Sequence, residues 1–383
     1  MKYLSITLLI ILWSLLSFAA PQQIIYPMPA GSKAPRDLYN HQLLKSIPYK
    51  TQKDLTIPNP LLSDTVPLQG TKFCLNELKK KDKKRIKVSL QFQWKNQFEF
   101  AGFYAAKEKG YYKEKGLDVE LIEYNSNNKP IEDVLSGKTE FGLWSDTLIL
   151  ERLRGKPVVM LANYFKRSCL VILIQPENRI PSDLKGKKLM INEKDLYSGN
   201  IQSMFKRYGM DLYKDTQLVP HSFNLQDFIN HKVDGISAYL INEPFILNQA
   251  KIPYNVLYPN SYGTTLYDLN LFTSETYANA NKRVVTDFTE ACNKGWKYAL
   301  DHTEEIINLI LKQYNTQQKT FEALAYEARK IIQQLVLANV FPVGSIDKVR
   351  IRHISEQFVK MKKVDSLKNL DGFIFNVKAT AEK

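Results

Sequence analysis

Gln91-Phe92-Gln93-Trp94-Lys95-Asn96-Gln97-Phe98-Glu99-Phe100-Ala101-Gly102-Phe103-Tyr104 is the stretch on which the fold turns. It grows out of Val88-Ser89-Leu90-Gln91-Phe92, an alternating run that reads as a strand. It leads into a helical pattern from Ala101 to Lys109, closed by Gly110 at a capping position. Strand, loop and helix in that order open an α/β sheet. Ligands of such sheets bind beyond the carboxyl ends of the strands. In the loop, Trp94, Gln97, Phe98, Phe100 and Tyr104 can stack on a flat ring and satisfy its polar edges. Ala101-Gly102 starts the helix, so free backbone N–H groups face the same cleft. The competing reading of Phe98, Phe100 and Phe103 is plain core packing.

The alternation continues downstream. Val119 to Glu123, Phe141 to Leu143 and Val158 to Asn163 read as strands, with helices at Ile131 to Leu135 and Thr147 to Leu153 between them. It then restarts, with strands at 170–174, 188–191, 216–219, 235–239 and 256–258. Leu271-Phe272 carries the chain back toward the first unit, and helices fill the rest: 278–300, 303–313, 318–337 and 346–362. The pattern predicts parallel α/β layers in two lobes, with a return crossing and a helical tail. The expected organisation is lobe 1 over 86–170 and 265–375, and lobe 2 over 171–264.

Three further strand ends offer polar groups. Trp144-Ser145-Asp146 ends one strand, and Ser145 and Asp146 could equally cap the next helix. Asn242-Glu243-Pro244 ends another, where Pro244 suits a first helical turn and Glu243 would face inward. Tyr262 and Tyr267 lie on the return crossing.

The amino terminus has a secretory pattern. Met1-Lys2 precedes an apolar run from Leu4 to Leu16, and Ser17-Phe18-Ala19 supplies small residues for cleavage after Ala19. That run is shorter than the ~20 residues of a membrane span. Residues 20 to 85 are Pro-rich and then basic, and read as an extended or disordered leader. The net charge of +14 is partly local, in Lys79-Lys80-Lys81-Asp82-Lys83-Lys84-Arg85. Export argues against a nucleic-acid partner and leaves loose contact of that run with an anionic membrane surface. Cys74, Cys169 and Cys292 form neither a disulfide framework nor a metal knuckle. No phosphate loop, nucleophile elbow or metalloprotease motif is present, and no catalytic residue or metal site is expected.

On these residues the chain resembles a known family. Gln91-Phe92-Gln93-Trp94, Phe100-Ala101-Gly102-Phe103-Tyr104, Asp183-Leu184-Lys185-Gly186-Lys187-Lys188 and Asn242-Glu243-Pro244-Phe245 carry the likeness. It is to solute-binding proteins related to thiamine-pyrimidine synthase and to alkylsulfonate uptake. The resemblance implies the two-lobed type II periplasmic-binding-protein fold. It implies that the Trp94 loop forms one cleft wall, and that Glu243 meets the ligand from the other lobe. Eukaryotic synthase members carry clustered cysteines and use a pyridoxal cofactor with iron. This chain has no such cluster, so no cofactor is expected. An acidic residue is usual just before Leu-Phe-Thr-Ser. Here Leu269-Asn270 stands there and Asp268 comes earlier.

The resulting expectation is a periplasmic, non-enzymatic, monomeric protein that captures a small ligand for an ABC permease. Its ligand would be a thiamine pyrimidine precursor or a similar heterocycle. The alternatives are a ligand-sensing partner of a membrane receptor and a pyrimidine-synthase-like enzyme. No signalling domain follows Phe375, which sets aside a one-chain sensor.

Overall fold

The structure is a computed structural model that describes residues 85–262 and 266–376. The signal, the Pro-rich leader and the basic run up to Lys84 lie outside the described residues, as does Cys74. Among the described residues no helix is long and apolar enough to cross a membrane.

Two five-stranded sheets organise the chain. The first contains β1 (Ile86–Gln91), β2 (Leu117–Ile122), β3 (Phe141–Trp144), β4 (Val158–Phe165) and β10 (Asp268–Ser274), in the order β2-β1-β3-β10-β4. The second contains β5 (Leu170–Ile174), β6 (Lys188–Ile191), β7 (Gln217–Pro220), β8 (Gly235–Tyr239) and β9 (Asn255–Leu257), in the order β7-β6-β8-β5-β9. The chain crosses between sheets twice, from β4 to β5 and from β9 to β10.

The expectation of parallel layers needs correction, because both sheets are mixed. β1 runs parallel to β2 and β3, but β10 is antiparallel to β3 and β4. β6 is parallel to β7 and β8, while β5 is antiparallel to β8 and β9. The reason is topological. β5 and β10 each enter their sheet from the other lobe, not through a local helical crossover, and so need not follow its direction.

In the first lobe, α1 (Ala101–Glu108), α2 (Tyr111–Glu114), α3 (Pro130–Leu135) and α4 (Leu148–Leu153) connect the strands. In the second, α5 (Asn200–Arg207), α6 (Leu212–Asp215), α7 (Gln226–Ile229) and α8 (Glu243–Gln249) do so. After β10 come α9 (Glu275–Ala280), α10 (Lys282–Asp301), α11 (Thr303–Gln313), α12 (Phe321–Lys330) with a π turn at Ile331–Val336, and α13 (Lys348–Lys360).

The main core lies between the first sheet and the α1–α10 pair. Phe92 stacks on Phe100 at 4.3 Å, and Trp296 meets Tyr164 at 5.2 Å and Phe103 at 6.1 Å. α1 and α10 approach closely because glycines face each other there. A Cβ on Gly102 would lie 2.2 Å from Trp296, and one on Gly295 would lie 2.1 Å from the Gly102 carbonyl oxygen.

Candidate functional site

Four buried carboxylates from separate parts of the chain converge where the lobes meet. Glu99 comes from the 3₁₀ turn Phe98–Phe100 after β1, and Asp146 from the turn after β3. Asp195 comes from the 3₁₀ turn Glu193–Leu196 after β6, and Asp268 opens β10. Three of these positions obey the rule that sheet ligands gather beyond strand ends. The fourth is placed by a kink. Leu269 has φ 49, in the left-handed region that branched apolar residues avoid, and the β10–β4 register shifts between Leu271 and Phe272. The Leu269 N–H donates to Asp268 Oδ1 at 2.8 Å, which ties the kink to the carboxylate.

Each carboxylate has neutral donors. Glu99 accepts from Gln93 Nε2 at 2.7 Å and Gln97 Nε2 at 2.6 Å. Asp195 accepts from the Ser237 hydroxyl at 2.7 Å and the Tyr239 hydroxyl at 2.9 Å. Asp268 accepts from the Ser168 hydroxyl at 3.0 Å, with Cys169 Sγ 3.8 Å away. Asp146, in the first lobe, lies beside the hydroxyls of Ser198 of the second lobe and of Ser145, which oppose the upward push of burial on its pKa. Among the described residues, none of the four makes an ion pair.

Burial and mutual repulsion dominate their electrostatics. Burial pushes Glu99 up to about 7, with the Asp268 and Glu327 charges adding to the shift and its two glutamine donors opposing it. Asp146 is raised by burial and then by the charges of Asp268 and Asp195. Asp195 and Asp268 are raised by burial, against their hydrogen bonds. Carboxylates so placed favour a ligand that brings N–H donors or positive charge, since an unpaired buried charge is costly. A functional-site reading of such a cluster is the general expectation for perturbed groups in a cleft.

A lysine completes the rim. Lys319, in the loop between α11 and α12, donates to Gln97 Oε1 and to Asn242 Oδ1, both at 2.8 Å, and pairs with Glu327. Glu243, next to Asn242, accepts the Tyr239 N–H at 2.8 Å, and burial raises its pKa.

The residues expected from sequence divide into groups. Gln97 and Asn242 meet through Lys319, with Glu243 next to Asn242, while Ser145 and Asp146 lie beside Ser198 of the second lobe. Phe98, Phe100 and Tyr104 are fully buried in the main core, and Gly102 serves the Trp296 contact, so these four are packing residues of the first lobe. Tyr104 also donates to Asn96 Oδ1 at 2.7 Å and stacks on Tyr314 at 4.2 Å. Trp144 donates to Thr147 Oγ1 at 2.9 Å and flanks the smaller core around α4. Trp94 is 42 % exposed and stacks on Tyr124 at 5.7 Å, on the outer rim. Tyr262 packs edge-on against Tyr208 at 5.7 Å beside α5. Tyr267 is buried, with the Arg350 guanidinium 4.2 Å over its ring. Neither tyrosine reaches the carboxylates. Reasoning from sequence missed Asp195, Ser198 and Lys319, and it placed Glu99 in the candidate loop and Asp268 on the return crossing without singling out either as a site residue. Asp195 had a signal, since it follows the strand at 188–191.

The sequence model of the NMT1/THI5-like family matches residues 97–306, more than half of the chain and inclusive of all four carboxylates. The chain belongs to the NMT1/THI5-like family. Curated relatives include the formylaminopyrimidine-binding protein of Halalkalibacterium halodurans, 25% identical over 230 residues, covering 58% of this chain and 69% of that protein. They also include the 4-amino-5-hydroxymethyl-2-methylpyrimidine phosphate synthase THI11 of Saccharomyces cerevisiae, 25% identical over 279 residues, covering 64% and 79%. Among solved structures, the periplasmic aliphatic sulphonate binding protein SsuA from Escherichia coli superposes with a TM-score of 0.59 at 14% identity, covering 76% of this chain and 92% of that one. The Candida albicans CA3427 gene product, which has the generic periplasmic binding protein fold, gives 0.55 at 15%, covering 76% and 96%. This NMT1/THI5-like chain therefore has the two-lobed periplasmic-binding-protein fold.

Proposed function

We propose that this chain is an exported solute-binding protein that closes its lobes over a small flat heterocycle rich in N–H donors. A thiamine pyrimidine precursor is the leading ligand, and an ABC importer the receiver. The observation that carries the proposal is the meeting of Glu99, Asp146, Asp195 and Asp268 from both lobes without an ion pair. An aminopyrimidine edge offers N–H groups to such oxygens, and charge-assisted bonds of that kind are strong. The relative named for formylaminopyrimidine binding agrees with this chemistry. The sulfonate named for the Escherichia coli fold neighbour does not, because an anion here would hold these buried carboxyl groups protonated, whereas an aminopyrimidine's N–H groups pair with their ionised forms.

Catalysis with a pyridoxal group finds no fitting lysine in Lys166, the buried lysine beside the crossing into the second lobe. Burial and Arg350 bring its amine down to about 7. Its Nζ, however, is enclosed by Asn163 O at 3.0 Å, Asn163 Oδ1 at 3.2 Å and Ser345 O at 2.6 Å.

Titration calorimetry with 4-amino-5-hydroxymethyl-2-methylpyrimidine, its formylamino relative and an alkanesulfonate tests the proposal. Binding of either pyrimidine, lost in Asp146→Asn, supports it. Binding of the sulfonate in preference to both pyrimidines overturns it.

A further inference from the structure

We infer that Lys319 is a closure latch, a positioning residue that joins the two lobes through Asn242 and relays closure to the cleft carboxylate Glu99 through Gln97. The inference rests on the solute-binding reading and goes beyond the stretch that the family matches, which ends at residue 306.

The geometry is unusually constrained for a loop lysine. The loop from Tyr314 to Thr320 is braced at both ends. Asn315 Nδ2 donates to the Lys319 carbonyl at 2.9 Å, and Asn315 Oδ1 accepts the Lys319 N–H at 2.8 Å. Gln317 Nε2 donates to the Asn96 carbonyl at 2.8 Å, and Thr316 donates to Glu123. Gln318 has φ 54, a left-handed conformation held by these bonds. The brace aims the ammonium at three acceptors. Glu327, buried on α12, supplies charge, Gln97 stands on the first lobe, and Asn242 heads α8 of the second.

Gln97 has one amide to share. Its oxygen accepts from Lys319, so its nitrogen faces Glu99 and donates at 2.6 Å. With Gln93 also donating, both Glu99 oxygens are held by amides. Opening the lobes would strip Asn242 from Lys319, leave the ammonium held mainly by Glu327, and loosen the Gln97 amide that orients Glu99. Ligand recognition and lobe closure therefore share one hydrogen-bond chain.

A second set of contacts across the lobes lies elsewhere. Arg154 sits 4.4 Å over the Tyr197 ring, and Lys363 Nζ donates to the Leu196 carbonyl at 3.3 Å. These do not touch the carboxylates, whereas the Lys319 contact links Asn242 of the second lobe to Glu99 through Gln97, as Ser198 lies beside Asp146.

The test measures lobe separation without added ligand. Spin labels at the exposed Lys113 and Lys206, one on each lobe, report the distance by pulsed electron paramagnetic resonance on the full chain. Lys319→Met and Asn242→Leu are each expected to shift the population about tenfold toward the longer distance, the loss of one charge-assisted bond. Asn242→Leu leaves the Lys319–Glu327 pair intact, so it decides the matter alone if Lys319→Met does not fold. Distances unchanged in Asn242→Leu, or a ligand-free wild type as open as the variants, overturn the latch. Failure of every pyrimidine to bind overturns the ligand reading and leaves the distance result standing.

Discussion

Ser168 donates its hydroxyl to Asp268 across 3.0 Å, and this bond joins the two segments by which the chain passes between lobes. The Ser168 carbonyl takes part as well, accepting from the Tyr258 hydroxyl at 3.1 Å and from Asn260 Nδ2 at 2.8 Å. The hinge and the proposed binding site thus share a residue. A ligand that draws on Asp268 acts directly on the hinge.

Asp268→Asn separates binding from stability. The carboxylate is buried and raised in pKa, so its ionised form is costly in the folded state. An isosteric amide keeps the size and removes the charge. The expected result at pH 8 is a melting temperature equal to or above wild type, with affinity for an aminopyrimidine reduced at least about tenfold for the loss of one charge-assisted bond. Thermal melts and calorimetry on the same sample check both halves. A variant that melts lower and binds normally contradicts the site assignment.

Stability in the absence of ligand should fall as pH rises from about 4.5 to about 7. Glu99 moves from an ordinary 4.5 to about 7 in the folded chain, so the folded state holds more protons than the unfolded state across that window. Asp146, Asp195 and Asp268 are raised as well and act with the same sign. Surface carboxylates held low, such as Asp183 and Asp227, act oppositely but only at more acid pH. The Glu99 shift alone corresponds to at most about 3 kcal/mol. Lys166, held down to about 7, acts oppositely above that pH, so denaturant melts at pH 5 and 7 are the comparison that should show the acid side more stable, and Glu99→Gln should flatten the difference.

How much of this could be read in advance depended on the kind of signal. Strands with alternating or continuous apolar runs were legible nearly to the residue, as at Leu170–Ile174 and Gly235–Tyr239. Sheet direction at β5 and β10 was not, because it depends on which lobe the chain is leaving. Within the loop after β1, Phe98, Phe100 and Tyr104 looked like a ring-stacking surface. The short helical turn that follows rotates all three into the core and leaves Glu99 and Gln97 at the seam. Asp268 carried no periodic signal, since a kink at Leu269 places it. Lys319 is separated from Gln97 by 222 residues, and nothing local marks it.

Gly295→Ala tests the close approach of α1 and α10. The added methyl would stand 2.1 Å from the Gly102 carbonyl and 2.7 Å from the Ala106 Cβ, and backbone has little room to yield. Overpacking of this kind costs roughly 1–3 kcal/mol or more. A loss in that range, read from denaturant melts, is expected. Gly137→Ala is a useful contrast. Its methyl meets nothing, but its φ of 75 strains any L side chain, so a smaller loss of about 1 kcal/mol should follow.

Tyr262→Leu distinguishes the cleft from the rest of the second lobe. Tyr262 is half-buried against Tyr208, and the ring pair anchors the turn Pro259–Tyr262 on α5. It is not bonded to any of the four carboxylates. Losing an edge-to-face aromatic pair costs about 0.5–1.5 kcal/mol beyond the area lost, so the variant should melt lower. Ligand affinity should stay within about twofold of wild type, well under the tenfold that 1.4 kcal/mol of lost contact would produce. Ser198→Ala is the opposite case, since its hydroxyl lies beside Asp146 of the other lobe and lowers its pKa. That substitution should leave the melt nearly unchanged, weaken ligand binding several-fold, and express the loss mainly as faster release. Stopped-flow release rates on the two variants therefore separate a residue that supports a lobe from one that closes the cleft.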